Sequence, residues 1–168
     1  ACTIGGNIAE NSGGVHCLKY GLTVHNIMEL TFLSSDAEII TIGSHHFEQA
    51  GYDLLALLNG SEGMLGIVLE AKLRLLTMPP QKQVLMAAFT RIEDAGNAVA
   101  DIIAKGVIPA GLEMMDQAVI QATENFCQPG YPVDAAAILL CELDGHSEAL
   151  HSDLKKVEQA CLDNAATS

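Results

Sequence analysis

The chain has 168 residues, 49% of them apolar, with no Trp and a formal charge of −13. That apolar content suffices for one ordinary core or two small ones and argues against disorder. The charge divides into −5 before the Pro79-Pro80 pair and −8 after it, with no cluster of Lys or Arg, which argues against nucleic acid and anionic membrane surfaces as direct partners; the longest apolar stretch, near AAAILLC, is too short to insert across a bilayer.

The chain opens on GGNIAENSGG, residues 5–14, which fits neither a helical nor a strand period. It reads as a loop in which Gly5-Gly6 and Gly13-Gly14 flank Asn7, Asn11 and Ser12. Two readings stand side by side: tight turns in which Gly and Asn supply positive φ, or bare backbone on which a ligand lies at short range. It is not a dinucleotide fingerprint, since no strand precedes it, and it has no G-K-[ST] of a phosphate-binding P-loop. The chain lacks an initial Met and begins directly in this stretch, so a piece of a longer protein is expected.

Residues 27–43 then predict a β-hairpin, with IMELTFL and IITIGS alternating about the turn-prone SSDAE. His45-His46 follow as a solvated turn. YDLLALLNG predicts a short helix closed by Asn59-Gly60. A second glycine-rich stretch, Gly60, Gly63 and Gly66, leads into a long strand from Ile67. That strand should place Ile67, Leu69, Ala71, Leu73 and Leu75 on one face and Glu70, Lys72 and Arg74 on the other. The glycines fit a helix cap and a β-bulge, or again close approach to a ligand.

Pro79-Pro80 can neither donate to a ladder nor continue a helix, and a domain boundary is expected there, giving domains 1–79 and 81–168. VLMAAF is a strand, and Thr90 with Glu93 reads as a capping box. Ile92, Ala95, Val99, Ile102 and Ile103 then follow at helical spacing up to Gly106. PAGLEMM is a strand in which Met114-Met115 read as core. A helix from Asp116 should place Val119, Ala122 and Phe126 on one side. AAAILLCEL is a strand buried on both faces. Ser147 should cap a last helix with Leu150, Leu154, Val157 and Cys161 inward. The order β-α-β-α-β-α predicts an α+β chain whose second domain is a ferredoxin-like split βαβ fold without its fourth strand.

Five widely spaced cysteines without a C-x-x-C pair read as reduced thiols of a cytosolic protein, with no metal centre. His146 and His151 lack metal-ligand spacing, and His16 and His25 are loop histidines on the glycine-rich side.

CTIGGNIAENSGGVHCLKYGLTVHN and GYDLLALLNGSEGMLGIVLEAKLRLL resemble the second part of the FAD-binding domain of vanillyl-alcohol-oxidase-type (PCMH-type) flavoproteins. GLEMMD and GYPVDAAAILLCELDG resemble the cap domain of FAD-linked D-2-hydroxyacid dehydrogenases, in the branch that holds the flavin subunits of bacterial glycolate oxidases. The resemblance covers essentially the whole chain. It implies FAD as cofactor, contacted by Thr3, Gly5, Gly6 and Glu10-Asn11-Ser12-Gly13, and by Glu62, Gly63, Met64, Leu65, Gly66, Ile67 and Val68. It implies oxidation of a small 2-hydroxyacid, glycolate or D-lactate, with electrons passed to partner subunits, one of them an iron–sulfur protein. A cytoplasmic enzyme held at the inner membrane through those partners is the matching location. The family's pyrophosphate loop would lie before Ala1 and its histidine-rich substrate segment after Ser168, so this piece alone should be inactive and its catalytic residues lie elsewhere. Another FAD-linked 2-hydroxyacid dehydrogenase, or a non-enzymatic ferredoxin-like regulatory module, are the alternative readings.

Overall fold

Thr3 starts a helix where turns were expected. Its backbone is extended at the N-cap position and its hydroxyl accepts the Gly6 N–H at 3.0 Å, so α1 runs Ile4–Glu10. Asn11 ends it in the left-handed conformation (φ 48°), which Asn tolerates. Two glycines in the first turn cost about 1 kcal/mol each in helix propensity. Tertiary bonds offset that cost: the Gly60 N–H donates to the Ile8 carbonyl at 2.8 Å and the Glu62 N–H to the Ala9 carbonyl at 2.9 Å. Ile8, buried on the inner side, anchors the helix.

This computed structural model describes residues 2–44 and 51–167, which divide into two units, Ala1–Thr77 and Met78–Ser168. His45-His46 lie outside the described residues. In the first unit, α1 is followed by α2 (Cys17–Tyr20), a 3-10 turn (Thr23–Asn26), β1 (Ile27–Leu33), β2 (Ile39–Gly43), α3 (Leu54–Leu58) and β3 (Ile67–Leu73). The strands form an antiparallel sheet in the order β2-β1-β3, so the expected hairpin is present. Its core joins Ile8, Ile27, Leu30 and Leu58, with Phe32, Ile42, Val68 and Leu73 packed against them.

The inward face expected of β3 is corrected by a bulge. Pairing jumps from Thr31–Glu70 to Phe32–Val68, so Leu69 has no partner on β1 and the alternation changes phase. Val68 and Leu73 turn to the core, whereas Ile67 and Leu69 are exposed.

The second unit runs β4 (Gln81–Phe89), α4 (Ile92–Ala104), β5 (Gly111–Asp116), α5 (Gln117–Cys127), β6 (Ala137–Gly145) and α6 (Ser147–Asp163). Its antiparallel sheet has the order β4-β6-β5, the strand arrangement of a split βαβ fold with three strands among the described residues. The central β6 is buried on both faces, as its unbroken apolar run predicts. On one face Ala87, Phe89, Leu139 and Cys141 meet Ala95, Ala98 and Ile102 of α4 and Leu150, Val157 and Cys161 of α6. On the other face Ala88 and Ile138 meet Ile120 of α5 and Ala135.

Three local expectations fail here. α4 begins at Ile92, with Arg91 at its cap position and no side-chain cap bond, so Thr90 and Glu93 form no capping box. Glu93 instead lies 3.6 Å from the Arg91 side chain. Ser147 is the first residue of α6, not its cap, a place taken by His146. On α5 the buried residue is Ile120, while Val119 and Phe126 are 47% and 91% exposed. Asp116 fixes the phase by accepting the Val119 N–H at 2.9 Å. Glu124 then draws the next loop inward by accepting the N–H groups of Gly130 and Tyr131, and Tyr131 packs on the Ile120 cluster. Met115 joins that cluster too, but Met114 is exposed.

Candidate functional site

The two glycine-rich stretches meet at the C-terminal end of α1. Ile8 and Ala9 are among the last carbonyls of that helix, which need donors from outside it. Gly60 and Glu62 supply them, and Gly60 can do so because its φ is +82° and an added Cβ would stand 3.1 Å from that of Asn11. The buried Asn59 amide completes the junction. It meets the Asn11 side chain at 2.9 Å. Turning its nitrogen to the Ile8 carbonyl (2.7 Å) gives its oxygen the Val24 N–H at 3.0 Å.

Beyond Asn11 the chain borders a cleft of about 450 Å³. Ile4, Asn7 and Ile8 of α1 contribute to it, with Ser12, Gly13, Gly14, Val15, His16 and Cys17 from the following turn. Cys2, Gly21, Leu22, Thr23, Asn26 and Leu73 complete it. The turn is held in place by local bonds: the Ser12 carbonyl accepts the Thr23 hydroxyl at 2.7 Å, and Cys17 Sγ accepts the Gly14 N–H at 2.9 Å. Apolar side chains dominate the lining, with a few amides and hydroxyls among them and no Lys or Arg. Such a surface suits a flat, largely uncharged ring system better than a phosphate.

Of the residues the sequence singles out, Ser12 and Gly13 line this cleft. Thr3, Gly5, Gly6, Glu10 and Asn11 lie on α1 or at its ends. There the Thr3 hydroxyl serves as cap, and the Asn11 side chain meets the buried Asn59 amide. Glu62, Gly63, Met64, Leu65, Gly66, Ile67 and Val68 run from the α1 junction into β3 and are not among the cleft-lining residues.

The glycines fall into two kinds. A Cβ on Gly5, Gly14 or Gly63 would meet nothing within 4 Å, so these backbones are open to a neighbour. A Cβ on Gly66 would stand 2.6 Å from the Phe32 ring and 2.8 Å from the Leu33 carbonyl, so Gly66 serves packing. Gly13 has a similar constraint from Leu22 and Cys17.

The sequence reading missed Val15, Leu22, Thr23, Asn26 and Leu73. The first four follow the glycine-rich segment in the chain, on the way to β1. Leu73 arrives through β3, paired with Ile27, and no local signal announces it. His16 lines the cleft and stacks edge-on with Tyr20 at 6.4 Å. His25 Nδ1 accepts the Leu22 N–H at 2.9 Å, which makes it a local cap. In the second unit, burial pushes the Cys141 thiol up to about 12, with Cys161 beside it adding to the shift, so this pair stays protonated and chemically quiet. Among the described residues no group of His, Cys, Asp or Glu could hold a metal, and no helix is long and apolar enough to cross a membrane.

Comparison with known proteins agrees with this geometry. Residues 78–168 match the family described as FAD linked oxidases, C-terminal domain, and residues 1–43 match an FAD binding domain. The glycolate oxidase subunit GlcD of Escherichia coli K12 is 55% identical over 167 residues, covering 99% of this chain and 34% of that protein. GlcD of Bacillus subtilis is 43% identical over 99% of this chain and 36% of its own length. A D-lactate dehydrogenase of Anaerostipes hadrus is 34% identical over 94% of this chain and 34% of its length. This chain therefore spans about a third of the relatives it matches. A solved alkyldihydroxyacetonephosphate synthase shares the fold, with a TM-score of 0.82 at 20% identity over 96% of this chain and 32% of that one. The family match covers more than half of the residues, with an α+β architecture to go with it: the chain belongs to the FAD-linked oxidases.

Proposed function

We propose that this chain is part of an FAD-dependent dehydrogenase that oxidises a small 2-hydroxyacid, glycolate and D-lactate being the substrates of choice. The observation that carries the activity is the 55% identity to a glycolate oxidase subunit along nearly all of the chain. In this reading Ala1–Thr77 is the second part of the FAD-binding domain, and Met78–Ser168 is part of the cap domain.

The residues present fit a flavin. The open backbone at Gly5, Gly14 and Gly63 leaves room that any Cβ would fill, and the cleft beside Ser12-Gly13-Gly14 is apolar enough to take a ring face. Bound FAD supplies the two-electron acceptor for the hydride that leaves the substrate α-carbon. The chain's own work is placement. Ile4, Ile8, Val15 and Leu22 would exclude water from a bound ring, and Asn7 and Ser12 would offer it hydrogen bonds. The junction held by Asn59 and Gly60 fixes the start of the Glu62–Val68 segment against α1, and the backbone of that segment would hold whatever part of the cofactor extends beyond the cleft. With no Lys or Arg in the cleft, the diphosphate is held by other parts of the enzyme. Electrons leave to partner subunits, an iron–sulfur protein among them, and any membrane association of this cytoplasmic enzyme is made through those partners.

Gly14→Val in the full-length enzyme is the test. Its Cβ would meet nothing within 4 Å and Gly14 lines the cleft, so the fold should persist while bound flavin falls at least tenfold. Undiminished flavin absorbance would remove the cleft from the binding site. Failure of the wild-type enzyme to reduce a dye with either glycolate or D-lactate would sink the substrate assignment.

A further inference from the structure

Asn59-Gly60 is the one Asn-Gly pair in the sequence. Such a pair is chemically fragile, because the backbone nitrogen of the second residue can attack the side-chain amide carbon of the first, and glycine has no side chain to hinder it. In that reaction Gly60 N loses its proton and bonds to Asn59 Cγ, the amide C–N bond breaks, and ammonia leaves. Water then opens the five-membered imide at either carbonyl. The products are aspartate, or its isomer with the backbone routed through the side-chain carboxyl. Water is the only reagent consumed.

The fold ties down both reacting groups. Among the described residues Asn59 is the one buried polar side chain, 6% exposed. Its amide nitrogen lies 2.7 Å from the Ile8 carbonyl, its oxygen 3.0 Å from the Val24 nitrogen, and its side chain meets that of Asn11 at 2.9 Å. The Gly60 N–H, which must give up its proton, donates to the same Ile8 carbonyl at 2.8 Å. Nucleophile and electrophile are thus fastened to one helix end, and neither is free while α1 stays seated. We propose that Asn59-Gly60 is a deamidation site gated by the α1 junction, closed while the helix is seated and open to hydrolysis when it lifts away. The change is one-way. An aspartate at position 59 has no N–H to return to the Ile8 carbonyl, and closing the junction would bury its charge against that oxygen. The isomer lengthens the backbone between Asn59 and Gly60, which displaces the Gly60 and Glu62 N–H groups from the carbonyls of α1. A chain that has opened for long enough is marked, and its two glycine-rich stretches no longer meet.

The test follows the full-length enzyme in mildly alkaline buffer by peptide mass spectrometry, with an isoaspartyl methyltransferase to report the isomer. In the native protein the Asn59 peptide should deamidate about a hundredfold more slowly than in the same chain unfolded in urea. Below the unfolding transition the rate should rise with urea in step with hydrogen exchange of the Gly60 amide, since one opening frees both groups. Asn11→Gly keeps the left-handed turn but removes the side chain facing Asn59, so it should speed native deamidation about tenfold. Asn59→Asp should lose the exchange protection of the Gly60 and Glu62 amides while the second unit keeps its own. Equal rates in the native and unfolded chains would overturn the proposal, as would no deamidation of the unfolded chain. So would Gly60 exchange that accelerates without deamidation, a native rate unmoved by Asn11→Gly, or an Asn59→Asp protein with the junction still protected. The urea series uses the wild type alone, so it decides the matter even where a variant does not fold.

Discussion

Replacing Gly66 by Ala should destabilise the first unit far more than the same change at Gly63, although both glycines belong to one short motif. At Gly66 the added Cβ would lie 2.6 Å from Phe32 Cδ2 and 2.8 Å from the Leu33 carbonyl oxygen, with φ at +154°. The ring can swing aside, but the carbonyl is part of β1 and moves only with the strand. Overpacking of this kind costs about 1–3 kcal/mol. A sparsely populated backbone conformation costs about 1–3 kcal/mol more. The sum is about 2–5 kcal/mol, which lowers the midpoint of a unit this size by about 10 °C or more, at about 4–8 °C per kcal/mol. At Gly63 the backbone is also left-handed (φ +78°) but nothing stands within 4 Å, so about 1–2 kcal/mol is expected. The sequence has no Trp for fluorescence. Hydrogen exchange read on peptides covering Ile27–Leu33 and Ile67–Leu73 would separate this unit from the other, beside thermal circular dichroism. Equal effects at the two glycines would refute the packing account and return Gly66 to the list of ligand-facing positions.

Asn59→Ala should cost about 2–3 kcal/mol, because it strips buried partners from Ile8, Val24 and Asn11 at once; urea denaturation showing less than about 0.5 kcal/mol would dismiss the junction. Stability should be highest below about pH 9 and erode as pH rises toward 12, because the unfolded chain gives up the Cys141 proton before the folded one does. A flat stability profile across that range, or rapid alkylation of Cys141 in the native protein, would contradict the burial. The isolated 168-residue chain should bind FAD no tighter than micromolar and show no dehydrogenase activity, since its cleft offers no cation to a diphosphate and its net charge of −13 repels one. A protein that purifies yellow would reverse that expectation.

Patterns carried by period were legible in the sequence. The hairpin, the β3 segment, the doubly buried β6 and the helices α4 and α6 all follow from spacing, and so does the split βαβ order. What escaped was settled by single contacts. α1 hides its helical character behind glycine content, although Thr3 and Asn11 mark its ends. The bulge at Leu69 cannot be seen from β3 alone, because it depends on which β1 residue pairs with Val68. On α5 two apolar stripes compete, and the choice of Ile120 is made by Tyr131 and Ala135, which lie beyond the helix. The cleft was half legible: Ser12 and Gly13 belong to the motif, whereas Leu73 joins it through the fold.

The placement of β6 between β4 and β5 has a consequence for how the second unit is made. β4 and β5 are synthesised first yet bond to β6, not to each other, so neither gains a ladder until residues 137–145 have emerged. Two strands with unsatisfied edges must therefore wait through α5 and its loop, and the nucleus of this sheet is non-local by construction. Sheets whose central strand is made after its neighbours fold late and expose sticky intermediates while they wait. Slowing substitutions are accordingly expected in Ala137–Gly145, where one residue touches both neighbours, and not in the terminal turns of β4 or β5.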